Sequence, residues 1–584
     1  MKPKAKQPST PEAQAQPQDL SRLNRSAFIW RCIAAVLSGA LLSCAFPPLG
    51  WNLLGWVALV PILLMPTPRR TWEKLAVGYI FGYVHFALNL YWLNEVGFGA
   101  GWLLALWCAL FPMLWYFIAS SLNYRLKDEK TASFPGAGPL FIKAEWQLIL
   151  QILLLSAVWV ATEYLRAKLF TGFPWNQLGI SQYKRPSVVA LSQYTGVYGV
   201  SFIIVLINTV LAAEASRQLR FFINPQPRPF PWHLALVTLA LAPVCIFNTR
   251  APILPPEGTQ NLRVAAIQGN IPQCRVWTEE QFQEALSTYK ELSLKAVQEH
   301  PDLDLIVWPE SAIPADMDYP PYHSTLSKLL IQLQKPLLVG TLKQMQNSAQ
   351  AGDISLFNSA YLLDTNMEVL DYIDKMHRVP FGEYTPFGDQ LPWLREMIGM
   401  GRDLTPGKSP HLIEMPKGLK AGVNICFEDA FPEISRAFTL LGANLLCTIT
   451  NDAWYNKSCG AEQHTSHVIF RAVENRRPFL RSGNNSHTCF ITPDGIVMGQ
   501  LTAQDGSPFT RDFQVYDLPI YDDWGTTFYT KYGDLFAAFC NALSLALIGY
   551  LATTHFQRKN LQLNAIQGTS PAQPRKKPSR RAKK

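Results

Sequence analysis

Three segments of this 584-residue chain each set a reactive side chain just beyond an apolar run. Leu305-Ile-Val-Trp-Pro-Glu310 ends on a carboxylate, and its proline would stop a strand's hydrogen-bond ladder. In Asp371–Gly388, Lys375 closes a stretch of strand character, and Glu383 follows among prolines and glycines. In Gly422–Glu433, Cys426 follows an apolar strand and precedes acids and a helix-forming stretch. Each feature alone is ordinary: a strand-end Glu or Lys is commonly solvated, and such a Cys is commonly a small buried hydrophobe. A strand-to-helix turn nevertheless presents a side chain at a sheet edge, as nucleophile elbows do. The three together suit covalent catalysis at a carbonyl carbon. A thiol with a pKa near ~8.5 needs a base or a cation to react at neutral pH. Glu supplies the base, and Lys supplies positive charge for the thiolate and a developing oxyanion.

Competing chemistries find less support. No G-x-S-x-G or H-E-x-x-H string occurs, and His464 and His467, three apart, lack a third ligand, so no metal site is expected. His377 joins no ligand pattern, and Cys447 and Cys459 lack acids and strand-end placement. Cys274 and Cys459 would be free to pair in an oxidising compartment, which spacing does not decide.

The elements that must position these groups read as alternating strands and helices over 255–525. Strands are expected at Arg263–Gln268, Leu303–Trp308, Pro336–Leu342, Gly422–Cys426 and Ala443–Thr450. Phe282, Leu286, Tyr289, Leu292 and Ala296 recur at helical spacing across Thr278–Glu299. Hairpins are signalled by Asp364-Thr-Asn and Pro493-Asp-Gly. This is the pattern of a layered α/β domain with mixed sheets.

The rest of the chain is different. Its 48% hydrophobic content is ordinary for a soluble protein, but the apolar residues concentrate before about residue 250 and again near 533–552. Windows at 27–46, 50–65, 73–93, 101–121, 147–169, 188–213, 231–248 and 533–552 approach the ~20 residues a membrane helix needs. Eight spans are therefore expected: seven within a transmembrane domain at 27–250, and one at 533–552 after the α/β domain. Residues 1–26, rich in Pro, Gln and Lys, read as a disordered tail, and 553–584 as a basic one. Of the net charge of +9, seven cations lie in the last ten residues, leaving +2 for everything else. That pattern excludes a nucleic-acid-binding domain and fits a cytoplasmic, membrane-adjacent end. With the N-terminus inside, the inner loops hold Arg69, Arg70 and Lys74, then Arg125, Lys127, Lys130 and Lys143, then Arg217, Arg220 and Arg228. One outer loop, with Arg166, Lys168, Lys184 and Arg185, departs from the rule. The α/β domain is then extracytoplasmic and both termini are cytoplasmic.

Glu310, Lys375 and Cys426, in these contexts and this order, resemble the Glu-Lys-Cys triad of the nitrilase (carbon–nitrogen hydrolase) superfamily. RVAAIQGNIPQ, VWPESAIP, RVPFGEYTPFG, CFEDAFPE and TNDAWY follow its pattern. In the membrane part, FPPLGW, GYIFGYVHFALNLYWL and EYLRAKLFTGFPWNQLG extend the likeness. From about residue 30 to 550 the chain is similar to the bacterial apolipoprotein N-acyltransferase family, which carries such a domain between its last two membrane helices. The resemblance implies an αββα sandwich beside a polytopic helical membrane domain. It implies Cys426 as nucleophile, Glu310 as general base and Lys375 as oxyanion stabiliser, supported by Glu383, Phe427 and Glu428. Trp277 and Trp454 would sit on loops at the mouth.

The implied reaction moves a fatty acyl group from a membrane phospholipid to Cys426, then to the N-terminal amine of a diacylglyceryl-cysteine apolipoprotein. No cofactor or metal is implied. The expected protein is a monomer in the bacterial inner membrane, with its catalytic domain on the periplasmic side. Two departures stand out: Phe427 replaces an expected Tyr, and Lys457 and Cys459 occupy positions where the family has an acid and a small or apolar residue. Tyr384–Met400 mixes Phe387, Leu391, Trp393, Leu394, Met397 and Ile398 with few charges, and reads as an arm that contacts lipid, with Trp393 touching substrate. The alternatives are a membrane-anchored amidase using the same triad, and a transporter with an extracytoplasmic binding domain. The latter should show ionisable residues within its spans, of which Glu163 and Arg166 are the main ones.

Overall fold

The computed structural model describes residues 17–128, 139–223, 231–248, 253–273, 277–347, 354–398 and 402–567. A helical part contains every apolar window. Among the described residues five helices are long and apolar enough to cross a membrane: Arg25–Cys44, Ala100–Leu122, Glu145–Lys168, Val197–Ile223 and Leu535–Thr554. The remaining windows form helices that are shorter or less apolar. Thr71–Asn89 carries Glu73, Lys74 and His85. Window 50–65 divides into a 3-10 turn (Asn52–Trp56) and a short helix (Val60–Leu64), and Leu234–Asn248 contains Pro243.

Two tail boundaries shift. The first helix starts at Pro17 rather than near Ala27, because proline suits a first helical turn and Asp19–Arg25 has no helix breaker. The last helix runs on to Gln567, since no Gly or Pro interrupts the chain between Leu551 and Gly568. Residues 1–16 and 568–584 lie outside the described residues, as does Cys274.

The α/β part has two six-stranded sheets. The first comprises β1 (Asn261–Gln268), β2 (Leu305–Val307), β3 (Leu337–Gln346), β4 (Ile354–Leu363), β5 (Val369–Asp374) and, from the far end of the domain, β12 (Asp512–Pro519). The second comprises β6 (Ile413–Glu414), β7 (Lys420–Ile425), β8 (Leu445–Asn451), β9 (Phe479–Asn484), β10 (Cys489–Ile491) and β11 (Val497–Met498). Their orders, β12-β1-β2-β3-β4-β5 and β6-β7-β8-β9-β10-β11, repeat one pattern of antiparallel, parallel, parallel, antiparallel and antiparallel pairs.

Side-chain alternation explains the layering. Val264 and Ala266 of β1 share a core with Val423 and Ile449 of the second sheet, whereas Ala265 and Ile267 join a separate core with the helices Glu279–Glu299 and Pro320–Leu333. The first of these helices starts on a capping box: Thr278 accepts from the Gln281 N–H, and the Gln281 side chain accepts from the Thr278 N–H. Helices Pro432–Leu440 and Gly460–Asn475 flank the second sheet, which completes an αββα sandwich. Both expected hairpins form, β4–β5 and β10–β11. The strand expected over Gly422–Cys426 ends at Ile425, because Cys426 leaves the extended region.

Every residue of Gly460–Asn475 except Glu462 is buried. One side lies on the sheet, and the other meets loops of the membrane part. The loop whose cations depart from the expected charge pattern takes part in this docking. Arg166 donates to the carbonyls of Phe173 and Trp175 (2.7 and 2.6 Å), Lys168 pairs with Glu433 (2.6 Å), Lys184 with Glu462 (3.0 Å), and Arg185 reaches Asn52 (3.5 Å). Three of the four therefore hold the loop's own turn or the α/β domain.

Candidate active site

Cys426 begins a 3-10 turn (Cys426–Ala430) directly after β7, with φ +55°. A non-glycine residue in this left-handed region costs about 1–2 kcal/mol, so the surroundings must hold it there. Glu428 does so from within the turn. One of its carboxylate oxygens accepts the Ile425 N–H at 2.8 Å, and the other accepts the N–H groups of Met376 and His377 at 2.6 and 2.9 Å. The nucleophile turn is thereby tied to the segment just after Lys375. Burial pushes the Glu428 carboxyl up to about 7 against the pull of those N–H donors.

Glu310 follows β2 through Trp308 and Pro309. Gly340 on β3 leaves the room for it: a Cβ there would lie 2.6 Å from Glu310 Cα and from the Pro309 carbonyl oxygen. Its carboxylate accepts Asn358 Nδ2 at 2.7 Å and the Asn451 N–H at 2.9 Å, one donor from each sheet. Lys375 extends β5 by one residue, donating its N–H to the Asn358 carbonyl at 2.8 Å. Its Nζ lies 2.7 Å from Glu383 Oε1 and 3.5 Å from Glu310 Oε1. Glu383 uses its other oxygen on the Val379 N–H at 2.8 Å. Burial opposes the Lys375 charge, but Glu383 and then Glu310 outweigh it, so the ammonium is held firmly protonated.

Cys426 is buried, and its thiol is pushed well above the usual thiol range, first by burial and then by the Glu310 carboxylate, with Lys375 opposing. Such a site holds a neutral thiol beside a carboxylate, and needs the carboxylate to take the proton as sulfur attacks. Glu310, Lys375, Glu383 and Glu428, read from the sequence, thus converge around Cys426.

The aromatic residues divide. Phe427 lies among Phe173, Trp175 and Phe431, with ring centroids at 6.3, 5.9 and 5.0 Å. Trp454 is 42% exposed on the turn Asp452–Tyr455. Trp277 packs on Phe282 against the outer helical core, away from the clusters that hold Cys426 and Phe427, because it sits one residue before the helix cap. On the arm, Trp393, Phe387 and Met397 are exposed, and the helix Pro392–Ile398 buries none of its residues. Cys459 is unpaired and buried as a small hydrophobe, and burial pushes its thiol up to about 11. The nearby Asn456 donates to Glu95 of a membrane loop at 2.8 Å.

Sequence reasoning missed three groups. Asn358 bridges two carboxylates, Glu310 and Glu383 (2.7 and 3.2 Å); its only signal was a lone amide inside an apolar strand. His464, dismissed as a ligand, lies between Asp452 (2.8 Å) and Asp429 (2.9 Å), and Arg481 donates to both aspartates at 2.8 Å. This balanced quartet braces the Cys426 turn from behind. Burial opposes the His464 charge, but Asp429 and Asp452 raise it to about 9. The third is Gln463, beside it on the same helix. Among the described residues no group of three or more His, Cys, Asp or Glu is placed to hold a metal.

Residues 38–210 match the family described as the apolipoprotein N-acyltransferase N-terminal domain, and residues 263–507 match the carbon-nitrogen hydrolase family. An apolipoprotein N-acyltransferase from Geobacter metallireducens is 34% identical, covering 91% of this chain and 96% of that protein. The apolipoprotein N-acyltransferase 1 of Treponema denticola is 27% identical, covering 91% of this chain and 98% of its own. The crystal structure of an amidase from Nesterenkonia sp. aligns at 18% identity with a TM-score of 0.34, covering 46% of this chain and 94% of that one.

Proposed function

The chain belongs to the apolipoprotein N-acyltransferase family, and from that premise we propose that it acylates lipoproteins through a thioester on Cys426. The donor is a membrane phospholipid. Glu310 takes the thiol proton as sulfur attacks the ester carbonyl. Lys375, with the Phe427 N–H, stabilises the oxyanion. The carbon–oxygen bond then breaks, Glu310 returns the proton to the leaving alkoxide, and a lysophospholipid departs. In the second half the free α-amine of a diacylglyceryl-cysteine apolipoprotein attacks the thioester. Its proton passes to Glu310, an amide forms, and the sulfur leaves and is reprotonated. Phe427 in place of a tyrosine costs this scheme nothing, since only its backbone is used.

The observation that carries the reading is one apolar cluster spanning both parts of the molecule. Phe427, Ala430 and Phe431, next to Cys426, pack with Phe86, Leu90, Trp92 and Trp175 of the membrane part. A small soluble amide needs no such contact with the membrane part, whereas an ester presented by a bilayer does. The exposed Trp393, Phe387 and Met397 extend apolar surface on the same domain. The α/β domain is assigned to the periplasmic side of the inner membrane, supported by the inner-loop cations and by the docking roles of Lys168 and Lys184. The test is to incubate the purified protein with vesicles of acyl-labelled phospholipid and look for label on Cys426. Label retained by Cys426→Ala would refute the assignment.

A further inference from the structure

Gln463 lies on the helix Gly460–Asn475, has no exposed surface itself, and makes contacts that the reaction scheme does not use. Its Oε1 accepts the indole N–H groups of Trp92 and Trp175 at 3.0 and 2.9 Å, and Asn176 Nδ2 at 3.1 Å. Its Nε2 donates to the carbonyls of Pro47 and Asn89 at 3.0 and 3.1 Å. An indole N–H only donates and a carbonyl only accepts, so the amide has one orientation. These five partners come from three separate membrane-part segments: FPPLGW, the NLYWL end of the third window, and FPWNQLG. One side chain of the α/β domain thus gathers all three.

The two indoles held this way are buried and pack against residues that flank the reacting centre. The Trp175 ring lies 5.9 Å from that of Phe427, the residue after Cys426, and 5.3 Å from His464 of the quartet behind the same turn. The Trp92 ring meets Tyr455 edge-on at 4.4 Å and Trp175 at 5.4 Å. Gln463 and His464 are adjacent, one bound to the membrane loops and the other to Asp429 and Asp452. The connection from membrane loop to nucleophile turn is therefore two residues long.

We infer that Gln463 is a positioning residue for acyl transfer: it fixes Trp92 and Trp175 as a wall that guides a long acyl chain from the bilayer to Cys426. The inference rests on the acyltransferase reading and adds a specific dependence on chain length. A short ester reaches the thiol without the wall, whereas a membrane-held ester does not.

The test uses the full chain in detergent with three readouts: acylation of Cys426 from phosphatidylethanolamine–phosphatidylglycerol vesicles, acylation by p-nitrophenyl butyrate, and alkylation of Cys426 by iodoacetamide. Gln463→Leu should slow vesicle acylation by about tenfold or more, as misplacement near a reacting centre does, while the other two rates stay within about twofold of wild type. The pair Trp92→Phe and Trp175→Phe, which keeps both rings and removes only the N–H donors, should show the same split and decides the matter if Gln463→Leu does not fold. Parallel loss of all three rates would reduce Gln463 to a structural role, and an unchanged vesicle rate would remove the role altogether. Wild-type protein that takes no acyl group from vesicles would instead sink the acyltransferase reading, and the inference with it.

Discussion

Lys375 sits closer to Glu383 than to Glu310, at 2.7 against 3.5 Å. The asymmetry separates two carboxylates that would otherwise be interchangeable. Glu383 compensates the buried ammonium, and Glu310 keeps the freedom to accept a proton from Cys426. Glu383→Gln should draw Lys375 onto Glu310 and blunt the base, lowering Cys426 acylation by about 10²-fold, in the range of a lost acid–base group. Single-turnover acylation measures it; an unchanged rate would show that Glu383 does not control the lysine.

Asn358 should matter almost as much, although it touches no reacting atom. Its one amide donates to Glu310 and Glu383 and fixes the distance between them. Asn358→Leu fills similar space and leaves two carboxylates short of a donor, so acylation should fall by about tenfold or more, while the fold loses the ~1–3 kcal/mol that an unsatisfied buried acceptor costs. Stopped-flow acylation beside calorimetry separates the two effects.

How much of this was legible in the sequence depends on the range of the signal. Glu310, Lys375 and Cys426 could be found because each ends an apolar strand, and that signal is local. Glu428 is legible only through the family resemblance, since it ties the turn after β7 to the other sheet, and Asn358 acts between strands that only the fold brings together. Asn358 looked like an isolated polar residue in β4, and its carboxylate partners lie 48 and 25 residues away. His464 was weighed as a metal ligand and set aside; its partners, Asp429 and Asp452, are known only once β8 and the turn after β7 lie side by side. The membrane windows were located by composition, but composition could not show that 50–65 would split into a turn and a short helix. Nor could it show that Arg166 holds its own loop's turn and that Lys168 and Lys184 dock the α/β domain.

The His464 quartet should make stability depend on pH on the alkaline side. Its imidazolium is raised from 6.5 to about 9, so the favourable contribution is complete below pH 6.5 and disappears as pH rises through 9. A shift of that size corresponds to something of the order of 3 kcal/mol. His464→Gln should be clearly less stable than wild type at pH 6, and the gap should close by pH 10. Thermal unfolding of both proteins across that interval is the check; a constant gap would mean that the charge on His464 is irrelevant.

The Cys426 thiol, raised by burial and by Glu310, should alkylate slowly at pH 7 and faster with rising pH, with no plateau in the neutral range. Replacing Glu310 by Gln removes a carboxylate that disfavours the thiolate. Alkylation by iodoacetamide should therefore become faster at a given pH even as enzymatic acylation is lost, because only the enzymatic step needs the base. Slowed alkylation would show that Glu310 removes the thiol proton in that reaction too, and an unchanged acylation rate would contradict the base assignment.

The exposed arm gives a further separation of access from chemistry. Trp393 and Leu394, replaced together by Ser, should slow acylation from vesicles several-fold and leave alkylation of Cys426 unchanged, since the arm lies at the surface and the thiol is buried. Vesicle flotation alongside the rate measurement would link the loss to weaker membrane contact. An unaltered vesicle rate would leave the arm without a role in lipid capture.

The central claim is a thioester on Cys426 that carries the acyl group from phospholipid to amine. Mass spectrometry of the Cys426 peptide, after incubation with vesicles of isotope-labelled phospholipid, tests it most directly. The account predicts one labelled acyl chain on Cys426, its absence in Cys426→Ala and Glu310→Gln, and its transfer to a diacylglyceryl-cysteine peptide added afterwards. Product labelled at wild-type rate with no acyl group ever on Cys426, or label persisting in Cys426→Ala, would contradict it.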